Sequence, residues 1–126
     1  MKHVDPWVQR FIEQVLPRLW RAIRPQRMIL FGSRIRGEVR PGSDLDVIVV
    51  AEAFQGMSFF ERMPYLLRLA DFDKHIDFFC YTPEEFQRIQ ARSFIIEEAV
   101  RTGWHLTAKE IEALIAALKK ETPLAS

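Results

Sequence analysis

Asparagine is missing from this chain altogether, and cysteine occurs once, at Cys80. With arginine outnumbering lysine, the missing asparagine is the bias of a heat-loving or GC-rich source. One thiol inside an apolar run cannot build a disulfide framework and reads as a reduced core residue. No cysteines and histidines cluster at zinc spacing. No apolar run approaches the 18 or so residues of a membrane span, and the N-terminal MKHVDPW lacks the apolar centre of a secretory signal. A cytoplasmic location, away from membranes, is therefore expected. Excess charge is also lacking: 18 basic against 17 acidic residues leaves a net +1, which gives no general argument for nucleic-acid binding. Repeats, linkers and low-complexity tracts are absent. What remains is 126 residues, 48% apolar and 28% charged, an ordinary composition for one domain around a single core.

The chain is organised around MILFGSRIRGEVRPGSDLDVIVV, Met28 to Val50. An apolar run, Met28 to Phe31, stops at Gly32-Ser33, and a second, Val47 to Val50, follows Asp44-Leu45-Asp46. Both are short and bounded by turn residues, as buried strands are. Residues two apart in a strand share a face, which sets Asp44 and Asp46 side by side, about 6.6 Å apart along the chain. Asp is a poor strand former and two like charges repel, so the arrangement calls for a cation between them. Mg²⁺, held by one or two carboxylates plus substrate phosphates, is the natural candidate. At the other end, Gly32 permits a tight exit and a close approach to ligand. Ser33 stands where a short helix, Arg34 to Gly37, begins and makes an anion site with the nearby N–H groups. Arg34 and Arg36 flank this turn and are expected to supply at least one phosphate contact; Arg40 is read as solvated.

A P-loop is excluded. Gly32 and Gly37 fit its glycine spacing, but Glu38-Val39 follows where Lys and Ser or Thr are required.

Further along, HIDFFCY (His75 to Tyr81) reads as a third strand, with Asp77 set in an otherwise apolar run. A buried, unpaired carboxylate is costly. Asp77 is thus a candidate third metal ligand, and the bland alternative is a solvated or Arg-paired strand end. His75 shares its face if the strand is regular. It is read first as an edge histidine, with substrate contact the second choice. Asp71 and Asp73 read as solvated turn residues, and His3 and His105 have no companions.

Gly-Ser, ten residues, then Asp-x-Asp, with a further Asp on a later strand, resembles the signature of the DNA polymerase β-like nucleotidyltransferase superfamily. More closely, the chain looks like its minimal nucleotidyltransferases, small proteins often encoded beside a helical HEPN-domain partner. The resemblance covers about residues 27–106. It implies an α/β nucleotidyltransferase fold, a small mixed sheet of three to four strands flanked by helices. It further implies that Gly32 and Ser33 contact the triphosphate of an NTP, ATP foremost. Asp44, Asp46 and Asp77 would bind two Mg²⁺ ions about 3.5–4 Å apart, and Asp77 would also act as general base. The acceptor implied is a hydroxyl, plausibly a tyrosine of a HEPN toxin that the transfer silences. The alternatives are an antibiotic-type small-molecule acceptor, or a non-catalytic nucleotide-binding module that masks a helical partner. A polymerase fragment is disfavoured, because nothing here is basic enough or large enough to hold a template.

The remaining elements follow from helix signals. Asp5-Pro6 starts an N-terminal helix over 5–24 with one apolar stripe, which Pro17 should kink or divide. Capping boxes at Ser58/Glu61, Thr82/Glu85 and Thr107/Glu110 predict helices from about 58 to 69, 82 to 92 and 107 to 120, with Pro64 disturbing the first. Ser93 restarts helix to Arg101, Gly103 closes it, and Trp104 to Leu106 is a short edge strand. The helical connection between the second and third strands suits a parallel crossover, which would bring Asp77 beside Asp46. The N-terminal stripe reads first as core; it and the Ile111–Leu118 face nonetheless look generous for so small a sheet, and part of these helices is expected to form a contact surface for a second copy or a partner.

Overall fold

The computed structural model describes residues 5–38 and 42–121. His3 and Arg40, for which expectations were stated above, lie outside the described residues. Four strands form one mixed sheet: β1 (Arg27–Phe31), β2 (Leu45–Val50), β3 (Ile76–Tyr81) and β4 (Trp104–Thr107), in the spatial order β3-β2-β1-β4. β1 runs antiparallel to both β2 and β4, whereas β2 and β3 are parallel. The parallel pair is joined by the crossover helix α4 (Phe59–Ala70), and β4 is the expected edge strand.

Strand alternation divides the core in two. Met28, Leu30, Val47, Val49, Phe78 and Cys80 face one layer, made of the N-terminal helices, α4 and the C-terminal helix α7 (Ala108–Glu121). Burial among them pushes the Cys80 thiol up to about 12, so it stays an inert thiol. Ile29, Phe31, Ile48 and Val50 face the other layer, where α5 (Pro83–Gln90) and α6 (Phe94–Thr102) supply Phe86, Ile96 and Ala99. Gly103 lets α6 run straight onto the sheet. A Cβ there would lie 2.5 Å from the Ala99 carbonyl oxygen and 2.6 Å from Ile29 Cγ2.

The N-terminal region is helical from Pro6 to Ile23 but not uniform: α1 (Pro6–Arg10) and α2 (Leu16–Ile23) are joined by a π-helical turn, Phe11–Val15. Pro17 accounts for it. Proline offers no N–H to the Glu13 carbonyl and its ring crowds that oxygen, so the preceding turn widens, and Leu16 N–H bonds back to Phe11. Pro64, by contrast, leaves α4 continuous.

One capping expectation needs correcting here. The Ser58 side chain makes no cap bond, although the boxes at Thr82 and Thr107 are closed by both of their hydrogen bonds. The apolar stripe of the N-terminal helices is core, with Val8, Phe11, Val15, Leu16 and Leu19 all buried. Ile111 is likewise buried, and Leu114 and Ile115 pack against the same cluster. The exposed large apolar side chains lie instead at the starts of α4 and α6, led by Phe60 at 87% and Phe94 at 78% exposure. Asp73 is exposed as expected yet paired, taking a 2.6 Å bond from Arg10. No helix among the described residues is long and apolar enough to cross a membrane.

Candidate active site

β1 ends at Phe31, opposite Asp46 in the antiparallel register, and the chain leaves the sheet through Gly32. Gly32 has φ +95, a conformation that side-chain-bearing residues avoid, and a Cβ on it would collide with the Asp46 carboxylate Oδ2. The short helix α3 (Ser33–Arg36) begins at once, closed by Ile35 and Arg36 N–H groups on the Gly32 carbonyl, both at 3.1 Å. Helix thus starts at Ser33, one residue earlier than expected.

On the other side of Asp46, the parallel register sets Asp77 directly opposite it. The crossover therefore delivers the third carboxylate as expected. Asp44 lies just before β2 rather than in it, because the strand begins at Leu45. Donor atoms of Asp44, His75 and Asp77 all lie within 4.8 Å of one another. His75 precedes β3, and its Nε2 is 2.8 Å from Asp77 Oδ1.

The electrostatics reflect this crowding. The Asp46 carboxyl is pushed up to about 6, first by burial, then by the charges of Asp77 and Asp44, with Arg36 opposing. Repulsion of this kind is what a divalent cation removes, and hard carboxylate oxygens are its preferred donors. The residues present therefore fit a divalent ion.

The two arginines part company. Arg36 is an exposed side chain bonded to Glu38 at 2.6 Å and close enough to Asp46 to favour its ionised form. Arg34 does not face the site. It is buried at 8% exposure, with Nη1 donating to both oxygens of Asp5 at 2.9 and 3.0 Å and Nε donating to the Ser43 carbonyl at 2.8 Å. Its guanidinium lies 3.5 Å from the Trp7 ring centroid, and Lys74 lies over the same ring at 5.0 Å. The expectation that Arg34 meets phosphate is corrected: its fork is committed to the N-terminal helix and to the residue before Asp44. That strut is the feature sequence reasoning missed. Asp5 reads correctly as an N-cap, accepting from Trp7 N–H at 3.0 Å, but nothing local announces its second partner.

A family model described as "Nucleotidyltransferase domain" matches residues 10–124. The chain belongs to the nucleotidyltransferase domain family. Among solved structures, this nucleotidyltransferase domain resembles a candidate nucleotidyltransferase from Sulfolobus solfataricus at 22% identity and a TM-score of 0.50, over 63% of this chain and 70% of that one. The likeness concerns the fold. BolA1 from Arabidopsis thaliana overlaps 59% of the chain and 93% of its own length at 18% identity and TM-score 0.47. The BolA domain of SufE1 from the same plant overlaps 66% and 99% at 16% and TM-score 0.49. No curated protein matches the nucleotidyltransferase domain.

Proposed function

We propose that this domain transfers a nucleoside monophosphate, AMP from ATP, to an acceptor hydroxyl with release of pyrophosphate. One observation carries the reading: Asp46 and Asp77 are register partners at the sheet end where Gly32 leaves β1, with Asp44 beside them. Gly32 and Ser33 would hold the triphosphate, and Arg36, exposed and within the field of Asp46, would add a cationic contact to it. Asp44, Asp46 and Asp77 would hold two Mg²⁺ ions. Bound there, the ions would supply Lewis acidity at the attacking and leaving oxygens. Asp77 takes the proton of the acceptor hydroxyl as that oxygen bonds to the α-phosphorus and the bond to the β-phosphate oxygen breaks.

The acceptor side of the site is open, the Asp77 side chain being 42% exposed. This supports a bulky acceptor, and with the family resemblance we take it to be a tyrosine of a HEPN-domain partner, whose silencing would make this chain an antitoxin.

The test is incubation with each α-labelled NTP and Mg²⁺, with a HEPN protein or an aminoglycoside as acceptor. Label on the HEPN tyrosine from ATP, absent with chelator and in Asp77→Asn, is the expected result. Label on the small molecule alone would move the acceptor class. Tight nucleotide binding without transfer to either would leave a binding module.

A further inference from the structure

The carboxylate triad accounts for the site without its histidine, yet His75 sits among the donors. It stands at the mouth of β3, its side chain 53% exposed, with Nε2 2.8 Å from Asp77 Oδ1. With Asp44 from the loop before β2 and Asp77 from β3 it makes a set of three donors, all within 4.8 Å. The basic side chains nearest in sequence point elsewhere: Arg34 to Asp5, Arg36 to Glu38, and Lys74 over Trp7. Among the described residues, His75 is the basic side chain hydrogen-bonded to one of these carboxylates, and an imidazole nitrogen can offer a metal ion a lone pair, which ammonium and guanidinium groups cannot.

We propose that His75 Nε2 is a ligand of the ion held by Asp77 and Asp44, and that it turns this position from Mg²⁺ toward a first-row transition ion such as Mn²⁺ or Co²⁺. This rests on the metal-dependent reading above. Neighbouring ligands on an octahedral ion with bonds of about 2.1 Å lie about 3.0 Å apart. The His75–Asp77 separation already has that size, so a cation can replace the hydrogen bond between them with little movement. Carboxylates and water satisfy Mg²⁺, whereas imidazole adds affinity for transition ions. An ordinary His–Asp hydrogen bond is the competing account. It would leave a metal bound by oxygen alone.

The experiment uses Mn²⁺ alone, added to the full chain without a histidine tag, nucleotide or acceptor. Free Mn²⁺ is titrated by electron paramagnetic resonance, and the bound ion is probed for directly coordinated ¹⁴N by electron spin echo. The wild type should show one coordinated nitrogen, and His75→Gln should lose it. Mn²⁺ affinity should then fall by about 10-fold or more, while Mg²⁺ affinity, read by competition, shifts far less. Bound Mn²⁺ without nitrogen coupling, or coupling that survives in His75→Gln, overturns the assignment and leaves the carboxylate site standing. No Mn²⁺ binding by the wild type would overturn both.

Discussion

The carboxylate of Asp46 occupies the space in which a side chain at Gly32 would begin. A phosphate-side turn and a metal-side carboxylate are thereby fitted to each other across the β1–β2 pair, with no atom to spare between them. Gly32→Ala adds a methyl group in a backbone conformation that alanine avoids. Strain of this kind costs about 1–3 kcal/mol, and the collision must also displace Asp46. Urea unfolding should show the loss, and Mn²⁺ titration should show weakened binding in the same variant.

Asp46 also sets a pH dependence. Its carboxyl stands at about 6 against an ordinary 3.8. Between those values the native state holds a proton that the unfolded state has lost, so stability falls as pH rises through this window. Asp46→Asn lacks that slope. In chelator, the variant should match the wild type at about pH 4 and exceed it in Tm above about pH 6, and Mg²⁺ should restore the wild type at pH 7. Calorimetric scans at both ends of the window check this, and parallel pH profiles for the two proteins would contradict it.

Arg34 is a buried cation whose partners lie on two other segments. Arg34→Met leaves Asp5 partly buried without its counter-ion, and breaking such a pair costs about 3–5 kcal/mol. Arg34→Lys should recover only part of the loss, since one ammonium cannot serve both Asp5 and the Ser43 carbonyl as the guanidinium fork does. Guanidinium chloride midpoints measure both. Trp7 fluorescence should change in each, because its stacking partner is gone.

Gly103 carries no unusual torsion; its φ is −81. The demand there is space, so Gly103→Ala should be destabilising by about 1–3 kcal/mol through overpacking, without touching the carboxylates. A lowered denaturation midpoint with unchanged Mn²⁺ affinity is the expected pair of results.

Much of this site is written locally. Gly32-Ser33, Asp44-x-Asp46 and Asp77 stand out because turn residues and charges interrupt short apolar strands, and the helical crossover dictates a parallel pairing. Arg34 was not legible, since its direction depends on Asp5 and Trp7, distant in sequence and brought near by the packing of the N-terminal helices. Nor could the sequence tell a stripe covering the sheet from one awaiting a partner, because both have the same periodicity. The sequence pattern at Ser58 matches those at Thr82 and Thr107, yet only the latter two close into capping boxes. His75 reads from its spacing as an edge residue on the face of Asp77, and the 2.8 Å approach of its ring to that carboxylate is side-chain geometry that spacing does not give.

The parallel pairing of β2 with β3 bears on the order of assembly. Asp46 meets Phe31 across an antiparallel pair closed by a loop of moderate length, but it meets Asp77 only after the whole α4 crossover has been spanned, about thirty positions. Contacts of greater sequence separation form more slowly. The Gly32–Asp46 half of the site is thus expected to exist before the Asp77 half docks, and that later step brings two like charges together. Chain collapse and creation of the cation site are then successive events, the second of which a dication in the refolding buffer would accelerate.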